Sequence, residues 1–169
     1  MEVDLKEHLL TWDGKSKEDI EAIYHGYSNS SDFLDRLIKL CSDESVNVAA
    51  TWLLKCGLEH DVQMTKAQMG KVLKVLPIIT QWEAKLHILQ CLPFFSISKT
   101  YKARVELFLR ETIADNNKFI RAWSYNGFYV LSQQYPEYIE ETKQFFDMAM
   151  RVEAASVKAR IRNLMKKGF

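Results

Sequence analysis

Proline and glycine are scarce in this chain, three and six among 169 residues, and the alternation of half-buried strands is absent. Apolar residues recur instead at three- and four-residue spacing from end to end, which predicts helix nearly everywhere. Cysteine is scarce too. Cys41, Cys56 and Cys91 are odd in number and widely spaced, with no C-x-x-C among them. That pattern speaks against a disulfide framework and predicts reduced, buried thiols in a cytoplasmic protein. No run approaches the ~18 to 20 apolar residues of a membrane span. The opening "MEVDLKEHLL" is acidic and lacks the cationic and apolar regions of a secretory signal. The expectation is a cytoplasmic location and no membrane partner.

Signatures of chemistry are missing as well. His8, His25, His60 and His87 form no H-x-x-x-H and join no cysteine at ligand spacing, which predicts no metal. There is no glycine-rich phosphate loop and no G-x-S-x-G. His87 and Cys91 share a helical face at i, i+4, a spacing that could pair an imidazole with a thiolate. Coincidence of two common residues is the more frequent cause of that spacing. The sequence therefore predicts a non-enzymatic protein with no cofactor.

What the chain does have is charge, unevenly spread. Residues 1–64 hold six Lys/Arg against thirteen Asp/Glu, and residues 65–169 hold seventeen against nine. The last nineteen residues, "RVEAASVKARIRNLMKKGF", carry six cations and one anion. Such polarity can steer an anionic partner to one end of a molecule, and solubility alone can also account for it.

Helix boundaries are signposted. Ser16 offers a capping box with Asp19 before a 17–28 helix. Ser31 opens "SSDFLDRLIKL", and "DESVNVAATWLLKCG" is expected to stop at Gly57. Thr65 can cap "KAQMGKVLKVL", and Pro77 separates that helix from "QWEAKLHILQCL", which ends before Pro93. "SKTYKARVELFLRETIAD" and "KFIRAWSYNGFYVL" follow. Pro136 falls at the first turn of the next helix, and "AASVKARIRNLMKK" is the last.

Self-similarity organises these helices. Set under one another, "VAATWLLKC", "EAKLHILQC", "RAWSYNGFY" and "KARIRNLMK" align Ala49, Ala84, Ala122 and Ala159 at spacings of 35, 38 and 37 residues. A period near 37 with two helices per unit reads as an α-solenoid. In the last two copies an acid, Asp115 or Glu153, precedes an aliphatic–cation pair, Ile120-Arg121 or Val157-Lys158, and then the alanine. That order resembles a HEAT repeat. The first two copies have Val48 and Glu83 at the cation position, so their membership rests on spacing and pairing. The resemblance spans roughly residues 31–169 as four pairs, with residues 3–28 as a degenerate first pair. It implies an all-α fold, an α-α superhelix (HEAT-like solenoid) of about ten helices in five antiparallel pairs. On this reading, residues 1–169 are a single helical-repeat domain with units at 1–30, 31–64, 65–97, 98–134 and 135–169. An ordinary helical bundle is the alternative.

In such solenoids the second helix of each pair tends to line a concave surface. On a wheel of the 118–131 helix, Phe119, Ile120, Trp123, Gly127, Val130 and Leu131 span about 120° and read as its buried face. Gly127, at the centre, predicts close approach of another helix, with a hinge as the functional alternative. Lys118, Arg121, Tyr125, Tyr129 and Ser132 lie within about 80° on the opposite face and read as a recognition stripe, unless neighbouring helices cover the tyrosines. The alignment carries this stripe to Lys158, Arg162 and Lys166, and toward the N-terminus to a groove floor at Trp52, Glu83 and His87.

The expected function is a binding or scaffold module that holds an acidic protein segment, or another anionic partner, on this basic-aromatic face. Nucleic acid is the alternative partner. The sequence also resembles, distantly, the DNA alkylation repair HEAT-like superfamily. That resemblance implies Trp52, Trp82 or Trp123 as base stackers and a DNA glycosylase relative. No tryptophan here has an acid one turn later, so the catalytic acid would have to be Glu83, on a different helical face from Trp82.

Overall fold

The computed structural model describes residues 4–169, and these fold as ten α-helices with short 3-10 turns and no strand among them. Residues 1–3 of the expected 1–30 unit lie outside the described residues. The chain forms two compact units, Met1–Phe94 and Phe95–Phe169.

The first unit contains α1 (Leu5–Leu10), α2 (Lys17–Tyr27), α3 (Phe33–Leu40), α4 (Asn47–Glu59), α5 (Lys66–Leu73) and α6 (Trp82–Cys91). Helix α4 packs between α2 and α6, and it also packs on α3, which in turn meets α5. The second unit contains α7 (Lys99–Thr112), α8 (Lys118–Gln134), α9 (Ile139–Val152) and α10 (Ala155–Lys166). There α8 is the hub, packed on α7, α9 and α10. Each unit is thus built of packed helical hairpins, an arrangement consistent with an α-α superhelix.

Local chemistry explains most of the boundaries. Thr65 and Gln68 form a reciprocal capping box at α5. At α2 only half of the expected box forms: Ser16 Oγ accepts from the Asp19 N–H. The Ser16 N–H donates to Asp13 Oδ1 at 2.8 Å. Asp19, one methylene shorter than Glu, is not the reciprocal partner.

Gly57 does not end α4. The helix runs on to Glu59, and the reversal comes from Asp61 at φ +62°. Val62 N–H reaches the Gly57 carbonyl and Asp61 N–H the Leu58 carbonyl, the two bonds of a Schellman turn. Asp tolerates the left-handed conformation better than most residues, which frees Gly57 for packing. A Cβ there would lie 3.5 Å from Val62 Cγ2 and 3.6 Å from Tyr24 Cε2.

The periodicity reading of the 118–131 helix is corrected. Of the expected buried face of α8, Ile120, Gly127 and Leu131 are buried, but Trp123 and Val130 are half-buried and Phe119 is 53% exposed. Ser124, Tyr125, Phe128 and Ser132 are buried as well, because three helices surround α8. The buried hydroxyls are satisfied within their own helix, Ser124 donating to the Ile120 carbonyl and Ser132 to that of Tyr129. The four aligned alanines differ in environment: Ala49, Ala84 and Ala122 are buried, whereas Ala159 is exposed. Helix α10 seats Val157, Ile161 and Leu164 in the core with Ala122 and Tyr125, which turns Ala159 outward.

Candidate functional site

The expected stripe on α8 is divided between structure and surface. Tyr125 is only 7% exposed and packs with Phe146, Val157 and Ile161. Arg121 grips Glu153, just before α10, with Nε to Oε1 at 2.8 Å and Nη2 to Oε2 at 3.0 Å. Arg121 Nη1 also donates to the carbonyls of Asp115 and Asn116. The Tyr125 hydroxyl donates to Glu153 Oε1 at 3.3 Å. Glu153 keeps 8% of its side-chain surface exposed, and the Arg121 hydrogen bonds hold its carboxyl below the usual carboxylate range. Burial, and then the Glu153 charge, push the Tyr125 phenol up to about 12. Arg121 and Tyr125 therefore tie the α7–α8 turn to the α9–α10 turn and offer no free recognition surface. Tyr129 is half-buried, edge-on to Phe169 at 5.3 Å, and Lys118 is exposed beside the Phe119 ring.

The α10 part of the stripe is different. Lys158, Arg162 and Lys166 follow at i, i+4 and i+8, so they share one face opposite the buried Val157–Ile161–Leu164 side. Arg162 and Lys166 are exposed and Lys158 is half-buried. Helix α10 contains no acid, and among the described residues no ion pair reaches these three cations. Five of this unit's eight carboxylates are paired with other cations: Glu106 and Glu141 with Arg110, Glu137 with Lys102, Glu140 with Lys143 and Glu153 with Arg121.

In the first unit the three expected floor residues, Trp52, Glu83 and His87, do come together. With Trp12, Gly14, Lys15, Val48, Trp82 and Leu86 they line a cleft of about 360 Å³. Trp82 and Glu83, expected on different faces, share its wall. Spacing along the repeat helices does not point to Trp12, because it precedes a polar turn instead of lying on one of them. Local bonds hold that turn: Asp13 Oδ1 accepts from the Lys15 and Ser16 N–H groups, Gly14 takes φ +81°, and the Trp12 indole donates to the Ser16 carbonyl at 2.9 Å. The Trp12 and Trp52 rings stand at 85° with centroids 5.1 Å apart, and Trp52 lies 5.4 Å from His87.

His87 Nδ1 is 3.0 Å from Thr51 Oγ1, whose hydroxyl donates to the Asn47 carbonyl at 2.8 Å. The imidazole therefore carries its proton on Nδ1. Burial, reinforced by the Lys55 charge, brings its pKa down to about 4. An unfolded histidine titrates near 6.5, so His87 should favour folding fully above that pH and lose the contribution progressively as pH falls toward 4. Urea titrations at pH 7 and pH 5 should show about 2 kcal/mol more acid destabilisation in the wild type than in His87→Gln. Equal acid sensitivity would contradict a buried neutral imidazole.

A second, smaller cleft of about 260 Å³ shares Trp12, Gly14 and Val48 with the first and adds Glu44, Ser45, Asn47 and Gln81. Asn47 is 4% exposed, yet its buried Oδ1 has no hydrogen-bond partner among the described residues. An unmet buried acceptor costs about 1 to 3 kcal/mol. It is the feature of this surface least legible in sequence, where "SVNVAATW" reads as the ordinary start of a helix.

The thiols are all buried. Burial pushes Cys41 up to about 12 and Cys56 to about 11, and raises Cys91 well above its usual value, so none is a ready thiolate. Among the described residues no group of three or more His, Cys, Asp or Glu side chains could hold a metal ion, and no helix is long and apolar enough to cross a membrane. Comparison with protein-family models, curated proteins and solved structures finds no significant match. The fold and its surfaces define the chain as an all-α protein of packed helical hairpins.

Proposed function

We propose that the chain is a non-enzymatic binding module that takes an anionic partner, an acidic protein segment, on the exposed face of α10. The observation that carries this reading is the segregation of charge in the second unit. Its ion-paired carboxylates serve other cations, and among the described residues Lys158, Arg162 and Lys166 stand in line with no ion pair. Met165 is also exposed on α10 and can meet an apolar residue of the bound segment. Arg121 and Tyr125 serve this face indirectly, by fixing the start of α10 through Glu153.

The test is charge reversal. Arg162→Glu/Lys166→Glu should weaken binding of an Asp/Glu-rich peptide by at least roughly tenfold at low salt while leaving the melting temperature unchanged. Equal affinity would overturn the reading.

Nucleic acid remains the second reading, because Trp52, Trp82 and Glu83 line one cleft. Against it, the first unit carries ten Lys/Arg and fourteen Asp/Glu, a balance that repels phosphate. Tighter binding of a single-stranded oligonucleotide than of the acidic peptide at matched salt would favour this second reading.

A further inference from the structure

We propose that the tryptophan-lined cleft of the first unit receives an arginine side chain of a partner polypeptide, its guanidinium laid against the Trp52 and Trp82 indoles beside Glu83. This goes beyond the function proposed above, since it concerns a different unit and a ligand of opposite charge. Failure of either reading leaves the other standing.

The protein itself shows the arrangement in filled form. In the second unit the Arg160 guanidinium lies 3.7 Å from the centroid of the Trp123 ring and donates from Nη1 to Asn126 Oδ1 at 3.3 Å. Indole, carboxamide oxygen and guanidinium satisfy one another there. In the first unit Trp12, Trp52 and Trp82 line a cleft in which the Glu83 carboxylate stands as the acceptor. Among the described residues no cation lies over any of these three rings. Trp82 is 48% exposed, an indole that a flat cation would cover.

Charge and geometry select the occupant. Lys15 also lines the cleft, but among the described residues no ion pair joins it or any other cation to Glu83, which is therefore the available counter-charge. Neutral His87 adds no repulsion at neutral pH. The unit as a whole is acidic, which favours a cation over a nucleotide phosphate. A guanidinium is planar and weakly hydrated, so it can stack on an indole while its edge still donates to a carboxylate. An ammonium group must replace three hydrogen bonds to water, and the mostly apolar walls around it do not supply them.

The adjoining cleft is what points to a polypeptide. It continues past Trp12 and Val48 to Glu44, Ser45 and Gln81, whose side-chain oxygens can accept from the main chain of the segment bearing the arginine. Free arginine would fill the first cleft alone.

The test titrates the full chain with a capped Gly-Gly-Arg-Gly-Gly peptide while following the four indole N–H resonances. Those of Trp52 and Trp82 should move and that of Trp123 should not. Replacing arginine by citrulline keeps the shape and removes the charge, and should weaken binding at least roughly tenfold. Trp82→Ala should do the same, and Glu83→Gln should cost severalfold. Both sit at the surface, and an unchanged melting temperature confirms that each variant folds. Stationary indole resonances, or equal affinity for the citrulline peptide, would overturn the proposal. Free arginine binding as tightly as the peptide would overturn its polypeptide part. An oligonucleotide that moves the same resonances more strongly would assign the cleft to nucleobases instead.

Discussion

Phe128→Ala is expected to lower the unfolding free energy by about 4 kcal/mol, the largest single-residue effect foreseen here. Phe128 has no exposed surface and lies in the middle of α8, the helix on which α7, α9 and α10 all pack. Its ring centroid is 4.9 Å from that of Phe145 on α9, and the Arg110 guanidinium approaches it to 5.7 Å. A cavity there cannot be closed by moving one helix without pulling it from the others. The cost should therefore not drop below the middle of the range for aromatic truncations. Urea denaturation of the wild type and the variant measures it. A loss below about 1.5 kcal/mol would mean that the site collapses freely and that α8 is not the rigid hub of its unit.

Glu153→Ala should cost about 3 kcal/mol, a loss carried by one acid at a turn. Its carboxylate takes two bonds from Arg121 and one from the Tyr125 hydroxyl. Without it the guanidinium stays anchored to the Asp115 and Asn116 carbonyls with no counter-charge. Arg121 retains 23% of its side-chain surface exposed, so water offsets part of the loss and the lower end of the range for broken buried pairs applies. Because the Glu153 carboxyl is held below its ordinary value, the contribution is complete above about pH 4.5 and disappears as pH falls through the folded-state pKa. A cycle with Arg121→Met and Glu153→Gln should show a coupling of at least about 1 kcal/mol. Additive losses would contradict the pair.

These two residues also show where sequence reasoning succeeds and where it stops. The helices, the Thr65 cap and the proximity of Trp52, Glu83 and His87 follow from spacing, because an α-helix repeats its side-chain directions over short distances. The exposure of Arg121 and Tyr125 does not follow. A wheel for α8 identifies two faces, but which of them is covered depends on where α9 and α10 return, and Glu153 lies 32 residues beyond Arg121. The same long-range dependence hid the Trp12 wall, which a loop delivers, and the unmet Asn47 oxygen, which is defined only by what fails to reach it. Gly57 misled for a local reason: glycine is common at helix ends, but Asp61 can take the left-handed position and leave the glycine to pack.

The functional reading turns on which cations are free. Titration of isotopically labelled protein with an Asp/Glu-rich peptide, followed at the backbone amides and the arginine Nε–H groups, addresses this directly. The prediction is that signals of Lys158, Arg162 and Lys166 move together and saturate, while the Arg121 Nε–H, already bound to Glu153, stays in place. Movement of Arg121 and Tyr125 with α10 silent, or no saturable change anywhere on α10, would contradict it.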